Sequence, residues 1–359
     1  MTQPATNRRR FLYGLGVSGG AIAVAGCAEG EVDPDGSAEP ADGEGLPSAE
    51  AVDVNRIAAD PTDVPDPVDW TEPKHHDISI TATERIAEVE PGVTFEFMTF
   101  DDQVPGPMIR VRRGDTVRIT LTNAEENSLP HNIDLHAVYG PGGGAGASTV
   151  NPGETASFEF TAMYPGVHVY HCAVPNLDQH ISAGMFGAIL VEPEDGLPPV
   201  DRELYFGQHE LYTKGEAGEE GHHAFDFEAM KREEPTYVPI NGEPWAFTGD
   251  GYGPIEVEKG ERIRIFYANG GPNMISSWHA IGNVWETFYR DGAVASDPDH
   301  YVETAPVVPG SVAIAEIDTP VPGEIKIVDH ALTRAARRGT LGVLNVEGSP
   351  EPDIFNPDP

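Results

Sequence analysis

Cysteine is almost absent from this chain: in 359 residues only Cys27 and Cys172 occur. That excludes a small fold held together by disulfides. Positive charge is also scarce, with 22 Lys+Arg against 59 Asp+Glu and a formal net charge of −37. Such a surface repels nucleic acid and anionic lipid, so no nucleic-acid partner is expected. It suits solubility in concentrated salt, where self-repulsion is screened, and points to a salt-loving source. No apolar run is long enough to span a bilayer: the Gly-rich stretch Phe11–Val24 falls short of the ~20 residues required. Extended 3.6-residue periodicity is lacking too, which argues against a helical bundle. Short helices are expected only over 222–232 and Ala331–Arg338.

The N-terminus reads as an address. Asn7-Arg8-Arg9-Arg10-Phe11-Leu12 resembles a twin-arginine export signal, and Val24-Ala25-Gly26-Cys27 a lipobox. Residues 1–27 are therefore expected to route the chain to the extracytoplasmic face of the cell membrane, with Cys27 as the lipid attachment point. The alternative is a plain cleaved signal with Cys27 incidental. Either way Cys172 is the one thiol left to the mature chain, and a lone thiol in an exported protein calls for a reason. Metal ligation is the leading one. Residues 28–70 are acidic and rich in Gly, Pro and Ala, the composition of a disordered tether. Residues 349–359 form a similar acidic tail.

Between these ends, short alternating apolar runs are separated by Gly, Pro and Asn, as in Thr116–Leu121 and Gly187–Val191. The pattern predicts an all-β protein of β-sandwich type. A weak internal repeat predicts two copies, over 71–195 and 200–348. Gly114-Asp115-Thr116-Val117 matches Gly260-Glu261-Arg262-Ile263, Tyr164-Pro165-Gly166 matches Val321-Pro322-Gly323, and Phe186–Glu192 matches Leu341–Glu347. This alignment sets His171-Cys172 against His330-Ala331.

Tyr170-His171-Cys172 continues to His180 and Met185. A thiolate, an imidazole and a thioether on one loop suit a blue-copper site, which takes two His and one Cys in a plane with a weak axial Met. His131 is the upstream candidate for the second imidazole. Alone, Cys172 reads equally as a buried structural thiol and Met185 as core filling; together they point to the metal.

Adjacent strand residues point to opposite faces. If Cys172 binds one metal, His171 faces away from it. By the same parity His131 lies on one face of its segment, and Asp134 and His136 on the other. The simplest pairing joins His131 to Cys172 and His136 to His171, giving a second metal one peptide bond from the first. A third ligand with an open position beside it is needed for catalysis. His330 is preferred and His279 is the other contender. His75, His76, His222, His223 and His300 read as exposed loop histidines, His168 as a strand-surface residue, and His209 has no assignment. Asp134, near the second metal, would stay ionised and could pass protons through water or simply orient His136.

These residues resemble the copper nitrite reductase family. The resemblance is carried by His131-Asn132-Ile133-Asp134-Leu135-His136, Gly140-Pro141-Gly142-Gly143-Gly144, Val150-Asn151-Pro152-Gly153-Glu154, Tyr170-His171-Cys172-Ala173, His180 to Met185 with Gly187, Ser276–Gly282 and Val328-Asp329-His330. It spans nearly all of 71–348. It implies two Greek-key cupredoxin β-sandwich domains in a homotrimer, with one type 1 and one type 2 copper per subunit. It assigns His131, Cys172, His180 and Met185 to type 1 copper. His136 and His171 of one subunit, with His330 of its neighbour, go to type 2 copper. Asp134 and His279 match a proton-delivering pair, and Ile281 a residue shaping the nitrite pocket. The implied partners are nitrite and a small electron donor, a blue-copper protein or a cytochrome. The Cys172–His180 loop is shorter than in many members and is similar to that of some outer-membrane and archaeal enzymes. A multicopper oxidase would need His-x-His pairs, and none occurs. A pure electron carrier would leave His136, His171, Asp134 and His330 without a role. The glycines at 142–146 lack the Gly-Lys-Ser/Thr of a phosphate loop.

Overall fold

The computed structural model describes residues 45–357, so the expected export signal, the lipobox with Cys27 and the first part of the tether lie outside the described residues. Two β-sandwiches follow each other along the chain. In the first, a five-stranded sheet orders Gly221–His223, Val93–Phe100, His75–Glu90, Thr116–Asn123 and Thr155–Thr161. Its partner sheet orders Ile109–Arg112, Phe186–Glu192, Gly166–His171 and Asp134–Leu135. In the second, Asp299–Val302, Trp285–Tyr289, Ser311–Asp318, Arg262–Gly271 and Arg202–His209 form one sheet. Ile255–Glu258, Leu341–Glu347, Gly323–Asp329, Ser276–Ile281 and Thr304–Val307 form the other. Among the described residues no helix is long and apolar enough to cross a membrane.

The internal repeat is visible in the pairing. His75–Glu90 runs parallel to Thr116–Asn123, which pairs antiparallel with Thr155–Thr161. Arg202–His209, Arg262–Gly271 and Ser311–Asp318 repeat that arrangement. The register corrects the sequence alignment of the repeat. His171 lies opposite Phe186 in the first copy, and Val328 lies opposite Leu341 in the second. Because Phe186 and Leu341 each open the equivalent strand, Val328 is the counterpart of His171, and His330 lies two residues beyond. Asp134 pairs with His171 and His279 with Val328, so Asp134 and His279 occupy equivalent places in the two copies.

Alternation buries one face of strands such as Thr116–Asn123, whereas Ile109–Arg112, Phe186–Glu192 and nearly all of Arg262–Gly271 are buried on both faces. Val117, Ile119 and Leu121 are fully buried in the first core, Ile263 and Ile265 in the second. Each such side chain contributes about 1.5–3 kcal/mol. Tyr267, Trp278 and Trp285 stack in the centre of the second sandwich, with ring centroids 4.5 and 4.2 Å apart. Buried ion pairs join the copies: Arg110 of the first contacts Glu192 and Glu203, and Glu203 also receives Arg264 of the second.

Three expectations are corrected. The tether does not extend to residue 70, because Ile57 is fully buried in the first core and Ala58 bridges Val104. These few apolar residues suffice to dock an otherwise acidic segment. The expected helix over 222–232 is split: Gly221–His223 is an edge strand on the first sandwich, and only Phe227–Lys231 is helical, capped by Asp226. His223 is therefore fully buried rather than exposed, bonded to Thr213 Oγ1 and the Glu219 carbonyl. The expected helix near Ala331 forms as Leu332–Arg338.

Candidate metal centres

His131, Cys172 and His180 meet in the interior of the first sandwich, their ligand atoms all within 4.8 Å of one another. A two-way backbone bridge to Val150 sets His131 in place. Cys172 follows the strand Gly166–His171, and its N–H donates to the Met185 carbonyl at 3.1 Å, closing the loop that carries His180 on the helix Leu177–Ser182. Met185 is fully buried at the loop's end. Asn132 Oδ1 accepts the Ala173 N–H at 2.7 Å and lies 3.7 Å from Cys172 Sγ.

The nitrogens have defined tasks. His131 Nε2 donates to Glu84 at 3.0 Å, which leaves the Nδ1 lone pair 3.9 Å from Cys172 Sγ. His180 Nδ1 is buried without a hydrogen-bond partner. Burial, then the adjacent His131, bring His180 down to about 4 against the opposing pull of the Glu84 charge, and burial pushes the Cys172 thiol up. Burial would raise Glu84 as well, but hydrogen bonds from His131, Ser128 and Leu129 outweigh it and hold the carboxyl at about 2. A neutral imidazole with an orphan nitrogen beside a dry thiol is a costly arrangement unless a cation displaces the thiol proton and takes both lone pairs. Two nitrogens and a thiolate are a soft donor set that suits copper.

The opposite face holds His136 and His171. Their Nε2 atoms lie 3.1 Å apart. His171 Nδ1–H donates to the Cys172 carbonyl at 2.9 Å, so its Nε2 carries the free lone pair. Desolvation, then the neighbouring His171, lowers the His136 pKa and favours the neutral ring that a metal needs. Asp134, paired across the strands with His171, shares this face. It is accommodated by Gly143, where an added Cβ would fall 1.9 Å from Asp134 Oδ1.

His279 and His330 form a third group on the second sandwich, ring centroids 5.2 Å apart. His279 Nδ1–H donates to the Glu303 carbonyl at 2.7 Å, leaving Nε2 free. Ile281, partly exposed, is two residues along the same strand and on the same face. Asp329 accepts the N–H groups of Ser277 and Ala331 and pairs with Arg334, fixing the turn that presents His330. His330 is exposed. Among the described residues, the ligand atoms of His136, His171 and His330 do not all lie within 4.8 Å of one another, as those of His131, Cys172 and His180 do.

Sequence reasoning missed Glu84, Asp329 and the steric task of Gly143. Glu84 had a signal: Ile80, Ala82 and Glu84 alternate on one face, and a carboxylate on an inward face is unusual. His209, unassigned from sequence, is fully buried and donates to the Ser182 carbonyl at 2.8 Å, tying the second sandwich to the helix of His180.

Comparison with known proteins gives a consistent picture. A family model described as multicopper oxidase matches residues 81–196. The copper-containing nitrite reductase of Neisseria meningitidis serogroup B is 40% identical over 309 residues, covering 86% of this chain and 78% of the relative. The solved copper nitrite reductase from Nitrosomonas europaea superposes with a TM-score of 0.69 at 31% identity, covering 78% of this chain and 96% of that one. A crystal structure of a multicopper oxidase gives a TM-score of 0.65 at 30% identity, covering 76% and 89%.

Proposed function

The chain belongs to the copper-containing nitrite reductase family, and on that premise we propose that it reduces nitrite to nitric oxide through two joined copper centres. The reaction takes one electron and two protons per nitrite and releases nitric oxide and water. The observation that carries the reading is the junction of the two sites: Cys172 enters the buried cluster while His171, its neighbour in sequence, meets His136 on the other face. When bound, copper held by His131, Cys172, His180 and Met185 supplies one-electron transfer, and copper held by His136, His171 and His330 supplies the nitrite-binding Lewis acid.

The chain's own residues do the rest. The His171–Cys172 peptide, and the bond from His171 Nδ1–H to the Cys172 carbonyl, link the two sites covalently and by hydrogen bond. Asp134 and His279 relay the two protons; His279 gives or takes its proton at Nε2, because Nδ1–H is committed to Glu303. Ile281 walls the substrate pocket. His330 comes from a neighbouring copy of the chain in a homotrimer. That assignment is supported by the failure of His330 to gather with His136 and His171 into one metal-sized group within a single chain, among the described residues. The electron donor is a small blue-copper protein or cytochrome. The arginine motif and lipobox-like segment fit export and anchoring at the outer face of the membrane, and the charge of −37 fits a salty medium. Oxygen reduction by a trinuclear copper cluster is disfavoured, because the chain contains no His-x-His.

The test is to load the purified chain with copper, count the metal, and follow nitric oxide at an electrode with nitrite and an artificial reductant. Two coppers per chain and nitrite-dependent nitric oxide are expected. One copper, or oxygen consumption without nitric oxide, would defeat the proposal.

A further inference from the structure

Glu84 is the least expected residue around the buried cluster. Its carboxylate is 6% exposed and lies on the inward side of the strand His75–Glu90. Four donors surround it: His131 Nε2 at 3.0 Å, the Ser128 N–H at 2.9 Å, the Ser128 hydroxyl at 2.6 Å and the Leu129 N–H at 2.9 Å. Every partner donates, so the group is used as an anion. The neighbouring Arg85 does not neutralise it; that guanidinium goes to Asp102 and Glu126. The pair Glu84 does make is with the imidazole of His131. One carboxylate thus ties a ligand ring to the two residues that precede Pro130 and His131 in the chain.

We propose that Glu84 is a positioning residue for the type 1 copper, fixing His131 as the Nε2–H tautomer with Nδ1 turned to Cys172 and holding the reduction potential of that copper down by its charge. The inference rests on the copper reading above. A carboxylate hydrogen-bonded to a ligand imidazole raises the basicity of the ring. Cu(II) carries one more positive charge than Cu(I), so the added electron density stabilises the oxidised form more. A lower potential at the electron-entry site makes onward transfer to His171 and the catalytic site more favourable.

The test uses the copper-loaded full chain and the variants Glu84→Gln and Glu84→Ala, with Glu126→Gln as an exposed control. Spectroelectrochemical titration of the blue absorption reads the type 1 potential, and thermal unfolding reads stability. Glu84→Gln preserves shape and removes charge. It should stay blue and shift the reduced-to-oxidised ratio at the wild-type midpoint at least tenfold toward the reduced form, an upward move of 59 mV for one electron. Glu84→Ala should shift further and weaken type 1 copper binding by ~10–100-fold. A purely structural role would lower stability without moving the potential. The proposal is overturned if Glu84→Gln is folded and blue with the potential of the control. Should Glu84→Ala not fold, Glu84→Gln decides alone. A wild-type protein without a blue band would overturn the copper reading underneath.

Discussion

Gly143→Ala isolates the placement of Asp134 from its chemistry. Gly143 has φ +54, and an alanine Cβ there would lie 1.9 Å from Asp134 Oδ1 and 2.8 Å from the Leu135 carbonyl. Real Cβ contacts essentially never fall under 3.0 Å, so the carboxylate must retreat by roughly 1 Å, and a misplacement of that size costs about 10²-fold in rate. The left-handed backbone adds about 1–2 kcal/mol of destabilisation for any non-glycine residue. Gly142→Ala separates the two effects: φ is +55, yet the nearest atom to its Cβ is 3.9 Å away. Both variants should lose the left-handed backbone term on thermal unfolding, Gly143→Ala losing more because its Cβ also meets the Leu135 carbonyl, and both should keep the blue absorption, because Asp134 lies on the face away from Cys172. Only Gly143→Ala should lose turnover, by about 10²-fold, toward the deficit of Asp134→Asn, for which removal of a positioned acid–base group predicts ~10²–10⁴-fold. Equal nitrite turnover in Gly142→Ala and Gly143→Ala, with Asp134→Asn strongly impaired, would refute the argument that Gly143 seats the carboxylate. Normal turnover in Asp134→Asn would remove Asp134 from the mechanism.

Other outcomes are expected. Cys172→Ala should abolish the intense thiolate–copper absorption and donor-driven turnover while second-site copper stays bound; loss of both metals together would contradict the two-face arrangement. His171→Ala and His330→Ala should each be inactive alone, and mixed assemblies of the two should regain nitrite reduction, because one copy then supplies His136 and His171 and the other His330. Absence of recovery in mass-verified mixed assemblies would argue for sites within single chains. Acid should destabilise the fold through His209, which burial lowers from 6.5 to about 4 against the opposing bond to the Ser182 carbonyl. The folded state keeps this ring neutral, so its contribution is complete above pH 6.5 and is lost as the unfolded chain takes up a proton between pH 6.5 and 4, roughly 3 kcal/mol in all. Denaturant unfolding of His209→Gln should show a flatter pH dependence by that amount across this window, and parallel curves would disprove the assignment.

The two-sandwich fold was legible because period-2 alternation and the repeated Gly-Asp/Glu turn are local signals. So was the division of His131 and Cys172 from His136 and His171, which needs only strand parity. Register was the harder part: the shared histidine sets His171 against His330, whereas the Gly166/Gly323 match carried forward without a gap leads to Val328, and the strand ladders, with His171 opposite Phe186 and Val328 opposite Leu341, make Val328 its counterpart. The hidden equivalence is between Asp134 and His279, which differ in chemistry and share no motif. Glu84 was overlooked because its partners, His131 and Ser128, are 47 and 44 residues away. The docked segment around Ile57 was lost in an acidic average, since one fully buried isoleucine weighs little in composition but much in packing.

Electron paramagnetic resonance of the copper-loaded protein, recorded with and without nitrite, tests the central claim most directly. Two Cu(II) signals of equal weight are expected, one with the narrow hyperfine splitting of a thiolate-bound site and one with the wide splitting of an imidazole-bound site, and nitrite should shift only the second. A single signal, or a second signal that ignores nitrite, would contradict the assignment of His136, His171 and His330 to a nitrite-binding copper.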